Sequence, residues 1–252
     1  MNENLYSRNR IYITPQEQET IKNYPILLAG CGIGSNIAEC ALRLGFENIT
    51  IIDGDHVEKS NLNRQNYVIN NIGHEKVNSI KERLLSINPN AQIKIYNQFI
   101  NSENINEFLK DCKIAVNALD FDSDIPLLFD VKCQSLSIPV LHPYNLGWAS
   151  LVAIIAPQGQ NFLSLQTNKE KINEIIIVEY FINILKENGT PMEWLENIVE
   201  KYLQEDASLP PPQLSVGSWL VAAICSNILF RIATGKDVKI FPEFYYLGTA
   251  EN

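Results

Sequence analysis

The chain contains 252 residues, 46% of them apolar, which suffices for one large α/β domain or two small ones with a full core. Its formal net charge of -9 argues against a broad nucleic-acid-binding surface, because a phosphate backbone would be repelled. No apolar run approaches the roughly 18 residues of a membrane-spanning helix, and the N-terminal sequence MNENLYSRNR has no apolar signal core. We therefore expect a soluble, cytoplasmic protein with neither membrane nor nucleic-acid partners.

The first 24 residues predict a polar arm followed by a short helix. The arm sequence YSRNR at 6–10 precedes TPQE at 14–17, where a threonine N-cap and a first-turn proline start the helix. Arg8 and Arg10 on the arm have an ordinary explanation as solvated side chains.

The next segment has the pattern of a strand, a glycine turn, a helix and a second strand. Residues 26–29 are an apolar run, and GCGIGS occupies 30–35. Apolar residues then recur with helical spacing until Gly45, and residues 49–52 form a second apolar run. This order predicts the first unit of a doubly wound sheet, with a nucleotide site at the turn.

Four residues of this unit are candidate nucleotide ligands. Gly30, Gly32 and Gly34 would let backbone N–H groups approach phosphates, and the following helix directs its positive end at the anion. Asp53 follows the second strand, about where an acidic residue bonds ribose hydroxyls. A tight structural turn is the alternative explanation of the glycines.

A polar segment after Asp53 indicates which nucleotide binds. GDHVEKSNLNRQ at 54–65 supplies amides and a guanidinium, including Asn61 and Arg64, which suit the charged oxygens of a triphosphate. Ordinary dehydrogenases need no such segment behind the ribose acid. We therefore favour ATP over NAD.

A helix is predicted to begin near GHEK at 73–76 and to end before Pro89, which forbids its continuation. Lys76 lies in the first turn of this helix, where the helix dipole disfavours a cation. We interpret this placement as a sign of a nearby anionic ligand, with simple solvent exposure as the alternative.

A strand at 91–96, a short helix at 103–110 and a strand at 114–119 come next, and the last strand leads to Asp120. A carboxylate at the carboxyl end of a central parallel strand lies in the crevice where doubly wound folds bind ligands. Asp120 is therefore a functional candidate, although an aspartate that caps the following helix would look similar.

The cysteines and histidines give no sign of a zinc site. The histidines are isolated from one another, and we interpret them as surface or packing residues. The cysteines are widely spaced and form no CxxC pair, so we predict reduced, mostly buried thiols. These residues are His56, His74 and His142 and Cys31, Cys40, Cys112, Cys133 and Cys225.

The remainder of the chain predicts more strands, a mainly helical insert at about 157–212 and an apolar, buried helix. The predicted elements are strands at 139–144 and 148–156, helices at 172–185, 194–203 and 214–234, and a late strand at 238–247 broken at Pro242. We predict an α/β, Rossmann-like doubly wound sheet that is mostly parallel, with additional antiparallel strands after residue 147. The whole chain, 1–252, forms one domain with an N-terminal arm at 1–24.

Several motifs resemble those of the ubiquitin-activating-enzyme-like family, in its bacterial ThiF/MoeB/HesA branch. SNLNRQ is close to diagnostic of that family, and the resemblance covers nearly the whole chain. A glycine-anchored helix near 217–235 completes it. The other motifs are YSRNR at 6–10, the glycine turn, DGDHVEKSNLNRQ at 53–65, GHEK at 73–76, INP at 87–89 and NALD at 117–120.

The resemblance implies an adenylyltransferase that uses ATP and Mg²⁺ to activate a carboxylate, with release of pyrophosphate. It implies that Asn61, Arg64 and Lys76 hold the triphosphate and that Asp120 holds magnesium. The implied substrate is the C-terminal carboxylate of a ubiquitin-like or sulfur-carrier protein, or of a short peptide.

The resemblance also implies a homodimer in which an arginine of the arm enters the partner subunit's active site. Arg8 matches that arginine best, and Arg10 is the alternative.

The chain departs from the family pattern in three ways, which bear on the step that follows adenylation. Ala29 and Cys31 stand where the family has glycine, and residues 121–129 lack an arginine that the family usually has. No cysteine lies between Cys133 and Cys225, so we expect no thioester step. A non-catalytic nucleotide-binding partner protein with the same fold is the alternative function. An NAD-binding oxidoreductase is disfavoured by the SNLNRQ segment.

Overall fold

The protein is built around one β-sheet, seen in a computed structural model that describes residues 5–166, 171–206 and 209–250. Within these residues the strands are β1 (Ile26–Ala29), β2 (Asn48–Ile52), β3 (Gln92–Tyr96), β4 (Ile114–Asn117), β5 (Val140–Asn145), β6 (Ala149–Ile155) and β7 (Phe244–Gly248). Their order across the sheet is β3-β2-β1-β4-β5-β6-β7. β1 to β5 are parallel, whereas β6 and β7 run antiparallel to their neighbours. The predicted fold class is confirmed.

Helices cover both faces of the sheet. Those described are α1 (Pro15–Asn23), α2 (Ile33–Leu44), α3 (Lys76–Ile87), α4 (Ile105–Phe108), α5 (Ile125–Ser135), α6 (Glu174–Glu187), α7 (Glu193–Leu203) and α8 (Ser215–Ala233). α2, α3 and α8 pack on one face, and α4, α5 and α6 pack on the other. In β1, Ile26 and Leu28 face the first layer and Leu27 and Ala29 face the second. Because both faces are covered, the central strands are continuous apolar runs.

The predicted strand–turn–helix–strand unit is present. α2 ends at Leu44, and the next residue, Gly45, has a φ of +125° that suits glycine and an N–H that donates to the carbonyls of Ala41 and Leu42. α3 ends at Ile87, as Pro89 predicted. These two helices connect the strands that frame the candidate nucleotide site.

Three predicted elements have different bounds in the structure. The predicted strand at 114–119 ends at Asn117, and the N–H of Leu119 points to the Asn117 side chain instead of a neighbouring strand. The predicted helix at 103–110 is reduced to α4, because the Asn101 side chain accepts the N–H groups of residues 103 and 104. The predicted late strand at 238–247 is β7 alone, which begins after Pro242.

The predicted helical insert contains α6 and α7, which begin and end within two residues of the predicted helices. Residues 167–170 and 207–208 of the insert lie outside the described part of the chain. Ile177 and Phe181 of α6 are buried against the sheet in the second layer. The insert is therefore packed onto the same face as α5.

α8 is the longest described helix and packs on the sheet against α2. Its 19 residues and mean hydropathy of 1.6 would suit a membrane span, but the core helix of a soluble protein has the same composition. Gly217 permits a close approach to β5, since a Cβ there would lie 2.1 Å from Asn145 Oδ1. Asn145 Nδ2 in turn donates to Leu214 O and Ser218 Oγ, at 2.8 and 2.9 Å.

Replacement of Gly217 should therefore destabilise the fold. We expect Gly217→Ala to lower the free energy of unfolding by about 1–3 kcal/mol, because the added methyl must displace Asn145. Gly34→Ala is the matched control, since a Cβ at that helical glycine meets nothing within 4 Å. Urea denaturation followed by circular dichroism measures both. Equal or greater stability of Gly217→Ala would contradict the close contact.

Candidate active site

All the predicted site residues except Arg8 lie near the carboxyl ends of β1, β2 and β4. These three strands are neighbours in the order β2-β1-β4, so the segments that follow them lie side by side. The glycine turn follows β1, Asp53 follows β2, and Asp120 lies three residues beyond the end of β4. The crevice between these segments is the candidate active site.

The three predicted glycines have different surroundings. Gly30 has φ +94°, and a Cβ there would lie 2.3 Å from the carbonyl oxygen of Ala118, so backbone packing alone requires glycine. A Cβ on Gly32 would lie 3.3 Å from Gln65 Nε2, whereas one on Gly34 would meet nothing within 4 Å. Packing within the protein therefore requires glycine at position 30 but leaves room for a side chain at position 34.

Asp53 joins the glycine turn to the polar segment. One carboxylate oxygen accepts the N–H of Cys31 at 2.6 Å, and the other accepts the N–H of Asp55 at 2.7 Å. Burial raises the pKa of Asp53, while nearby Lys76 opposes that rise. The carboxylate is thus fixed in orientation at the edge of the crevice.

Lys76 is the first residue of α3 and points into this group of carboxylates. Its Nζ lies 2.9 Å from Asp55 Oδ2, and only 10% of its side chain is exposed. Burial lowers the pKa of Lys76, but Asp53 and Asp55 outweigh burial and raise it. The negative charge that offsets its unfavourable place on the helix dipole therefore comes from within the protein.

Arg64 and Asn61 stand on the polar segment in different roles. Arg64 Nε donates to Gln213 Oε1 at 2.6 Å, which ties the segment to the chain just before α8. Burial lowers the pKa of Arg64, and the nearby charge of Asp120 counteracts it. Asn61 is buried, and its Oδ1 accepts the N–H of Glu58 at 2.9 Å. Arg64 faces the crevice, and Asn61 shapes the segment that carries it.

Asp120 lies among further carboxylates that the motifs did not identify. Burial raises the pKa of Asp120, Asp122 raises it further, and Lys76 opposes both. Glu174, the first residue of α6, has its pKa raised to about 7 by burial and by the charges of Asp120 and Asp122. The insert therefore brings a carboxylate to the crevice. An acidic residue in the first turn of a helix is common, so nothing in the sequence indicates this contact.

The donor chemistry of Asp120 suits Mg²⁺, which prefers carboxylate oxygens and is usually bound by one or two carboxylates together with nucleotide phosphates. Among the described residues, no group of three or more His, Cys, Asp or Glu side chains is arranged to hold a metal ion. A magnesium ion that arrives with the nucleotide needs no such preformed group. The carboxylate of Asp120 is therefore chemically suited to the predicted role of magnesium ligand.

Arg8 is the predicted site residue that the structure does not bring to the crevice. Its neighbour Asn9 donates to the carbonyl of Leu44 at 2.9 Å, and Tyr6 accepts a hydrogen bond from Asn88 at 3.1 Å. Leu44 is the last residue of α2, whose 12 residues place it about 18 Å from the glycine turn. Arg8 and Arg10 are exposed at the opposite end of the molecule.

The cysteines are buried or half-buried, as predicted. Burial raises the pKa of Cys31, although its backbone amide contributes to the site, and raises the pKa of Cys112 to about 12. Burial likewise raises the pKa values of Cys40, Cys133 and Cys225. His56 and His74 are exposed, whereas His142 is buried against Asp130.

A cavity of about 670 Å³ lies away from this crevice. It is lined by residues at the amino ends of three strands, among them Pro25, Asn48 and Gln92. The candidate site lies instead at the carboxyl ends of β1, β2 and β4. None of the predicted site residues lines the cavity.

Comparison with known proteins identifies relatives of this chain. It is 33% identical over 105 residues to the tRNA threonylcarbamoyladenosine dehydratase of Bacillus subtilis (strain 168), covering 41% of each chain. It is 30% identical over 158 residues to the sulfur carrier protein ThiS adenylyltransferase of the same organism, covering 60% of this chain and 47% of the relative. The chain thus spans less than half the length of these two relatives.

The fold is similar to that of E. coli MccB with ATP, with a TM-score of 0.72 and 19% identity over 100% of this chain and 73% of that one. A profile of the ThiF family matches residues 6–249. With nearly its whole length matched, the chain belongs to the ThiF family.

Proposed function

We propose that this protein catalyses the ATP-dependent adenylation of a carboxylate, which releases pyrophosphate and leaves an acyl-adenylate. The observation that carries the proposal is the convergence of Asp53, Lys76, Arg64 and Asp120 beside the glycine turn. The name of its relative, an adenylyltransferase acting on the sulfur carrier protein ThiS, supports the same chemistry. The alternative, a nucleotide-binding protein without catalysis, would leave this set of charged residues without a reaction.

In this mechanism a carboxylate oxygen of the substrate attacks the α-phosphorus of ATP, and the bond from that phosphorus to the bridging oxygen of pyrophosphate breaks. Bound Mg²⁺ would supply neutralisation of phosphate charge, with Asp120 as its protein ligand. Asp53 orients the ribose, and Lys76 and Arg64 stabilise the charge that develops on the leaving pyrophosphate. Catalysis therefore consists mainly of positioning and charge neutralisation.

We propose that the substrate is the C-terminal carboxylate of a ubiquitin-like or sulfur-carrier protein, or of a peptide, in the cytoplasm. One relative is named for a tRNA nucleoside, which offers a different substrate class. The net charge of -9 disfavours tRNA, because its backbone would be repelled over most of the surface. Exchange of labelled pyrophosphate into ATP, measured with small proteins and peptides encoded beside the gene, tests the reaction. Absence of exchange with all of them would favour the non-catalytic alternative.

The first prediction of this proposal concerns the nucleotide. Calorimetry should show binding of ATP with Mg²⁺ and no comparable binding of NAD. Lys76→Met should weaken ATP binding by about tenfold or more, because a charge-assisted hydrogen bond to phosphate is lost. Lys81→Met, on the same helix but at the distant cavity, is the matched control and should bind ATP normally. Tighter binding of NAD than of ATP would overturn the proposal.

We further propose that no thioester forms between this protein and its substrate. All five cysteines have raised pKa values, so little of the nucleophilic thiolate exists at neutral pH. Mass spectrometry after incubation with ATP and an active substrate should therefore show no thiol-labile adduct. An adduct on any of the five cysteines would contradict this prediction.

We propose a homodimer in which Arg8 completes the partner subunit's site. The contacts of Asn9 and Tyr6 hold the arm far from its own crevice, so Arg8 in this position does not reach the site of its own subunit. The arm also exposes large apolar side chains: Ile11 is 94% exposed and Tyr12 is 88% exposed. Ile11 has φ +80°, a strained conformation for a β-branched residue, which a contact with a second subunit would stabilise.

Mixing of two inactive variants tests this assignment. Arg8→Ala and Asp120→Ala should each be nearly inactive in pyrophosphate exchange. Mixed and allowed to re-equilibrate, they should regain about a quarter of wild-type activity, since about half the dimers are mixed and each has one intact site.

Arg10→Ala in place of Arg8→Ala distinguishes the two arginines in the same assay. Recovery only with Arg10→Ala would assign the role to Arg10. A lack of recovery with either variant would show that the arm does not act in the partner's site.

A further inference from the structure

A buried polar cluster lies directly beneath the segment that carries Asp120. Asn117, Asp130 and His142 are 3%, 1% and 1% exposed. Asn117 Nδ2 donates to Asp130 Oδ1 at 2.9 Å, and His142 Nε2 lies 2.8 and 2.9 Å from the two carboxylate oxygens of Asp130. We call these three residues the polar clamp.

The strand register and α5 bring the clamp together. Val116 of β4 pairs with Leu141 of β5, so the next residues, Asn117 and His142, are neighbours on the α5 face of the sheet. Asp130 reaches them from α5. The surrounding layer is apolar, and the ring of Phe162 packs edge-on against His142 at a centroid distance of 4.7 Å. The clamp thus connects β4, α5 and β5 within a mainly apolar layer.

The clamp contacts the chain on both sides of Asp120. Before it, Asn117 Oδ1 accepts the N–H of Leu119 in a long hydrogen bond of 3.4 Å. After it, the ring of Phe121 lies 6.5 Å from that of His142. Asn117 Nδ2 also donates to the carbonyl of Pro126 at 2.9 Å, which fixes the start of α5. The backbone around Asp120 is therefore held by contacts with side chains that are buried and hydrogen-bonded to one another.

Stability alone does not account for this arrangement. Well-packed apolar residues in place of buried polar partners are often as stable or more so, because taking polar groups out of water is costly. What such a pair supplies in addition is direction, since hydrogen bonds hold their partners at fixed angles and apolar contacts do not. A fixed orientation matters most beside a carboxylate whose oxygens have to bind a metal ion.

We propose that Asn117, Asp130 and His142 are positioning residues that hold Asp120 in place to receive the magnesium-bound nucleotide. This inference rests on the proposed function, because it assigns the clamp to the same site. The three residues act through the backbone at 119–121 and touch neither substrate nor metal. Loss of the clamp should therefore reduce the contribution of Mg²⁺ to nucleotide binding more than it affects ATP binding without the metal.

Calorimetric titration with ATP, in Mg²⁺ and in EDTA, tests the proposal without requiring the acyl substrate. The readout is the dissociation constant of ATP measured in EDTA divided by that measured in Mg²⁺. Asp130→Asn, which keeps the shape and the Asn117 contact, should reduce this ratio about tenfold, as loss of outer-shell partners of metal ligands does. Gln134→Leu is the matched control, because Gln134 lies on the same helix and holds Ala156 and Gly159 instead of the Asp120 segment. It should retain the wild-type ratio even if it melts at a lower temperature.

Phe121→Ala provides a second test that leaves the hydrogen bonds between His142 and Asp130 intact, and it serves as the test if Asp130→Asn does not fold. It should also reduce the ratio several-fold. The proposal is overturned if a folded variant of either kind keeps the wild-type ratio within about twofold, or if ATP binding by the wild type does not depend on Mg²⁺. Failure of the wild type to bind ATP at all would instead refute the proposed function.

Discussion

One backbone contact holds the candidate site together. The N–H of Gly30 donates to Ile52 O at 2.9 Å, and the N–H of Ala118 donates to Ala29 O at 2.8 Å, so the ends of three strands are joined at this point. The carbonyl of Ala118 occupies the space that any Cβ at residue 30 would need. These contacts fix where the glycine turn and the segments that carry Asp53 and Asp120 begin relative to one another. A site that is fixed in this way suits the proposed transfer of a nucleotidyl group.

The crevice brings several carboxylates close together, and their mutual repulsion lowers the stability of the folded protein. Burial and neighbouring carboxylates raise the pKa values of Asp120 and Glu174, which shows that both are held in surroundings that disfavour their charged forms. For Glu174, the folded protein binds more protons than the unfolded chain between the ordinary pKa of 4.5 and about 7. Its contribution to stability therefore falls as the pH rises through that window. A site that is strained without its ligand is a common property of catalytic centres.

The sequence predicted those parts of the site that depend on local pattern. Apolar runs and Gly45 placed β1, β2 and α2, and their order placed Asp53 and Asp120 at one edge of the sheet. The unfavourable position of Lys76 on a helix predicts a nearby anionic ligand, whereas the anion that the structure places beside it is Asp55 of the protein itself. The approach of Glu174 to Asp120, and of His142 to Asp130, depends on how distant segments pack. No short-range pattern encodes such contacts, so only the structure shows them.

The charge balance of the crevice supports the proposed homodimer, in which Arg8 enters the partner subunit's site. Two basic side chains, Lys76 and Arg64, face a larger number of acidic ones, and a triphosphate would add to that excess. Mg²⁺ reduces it, and an arginine from a second subunit would reduce it further. Nucleotide binding and dimer formation would then stabilise each other, because each supplies charge that the other needs. The acidic residues around the crevice are Asp53, Asp55, Asp120, Asp122 and Glu174.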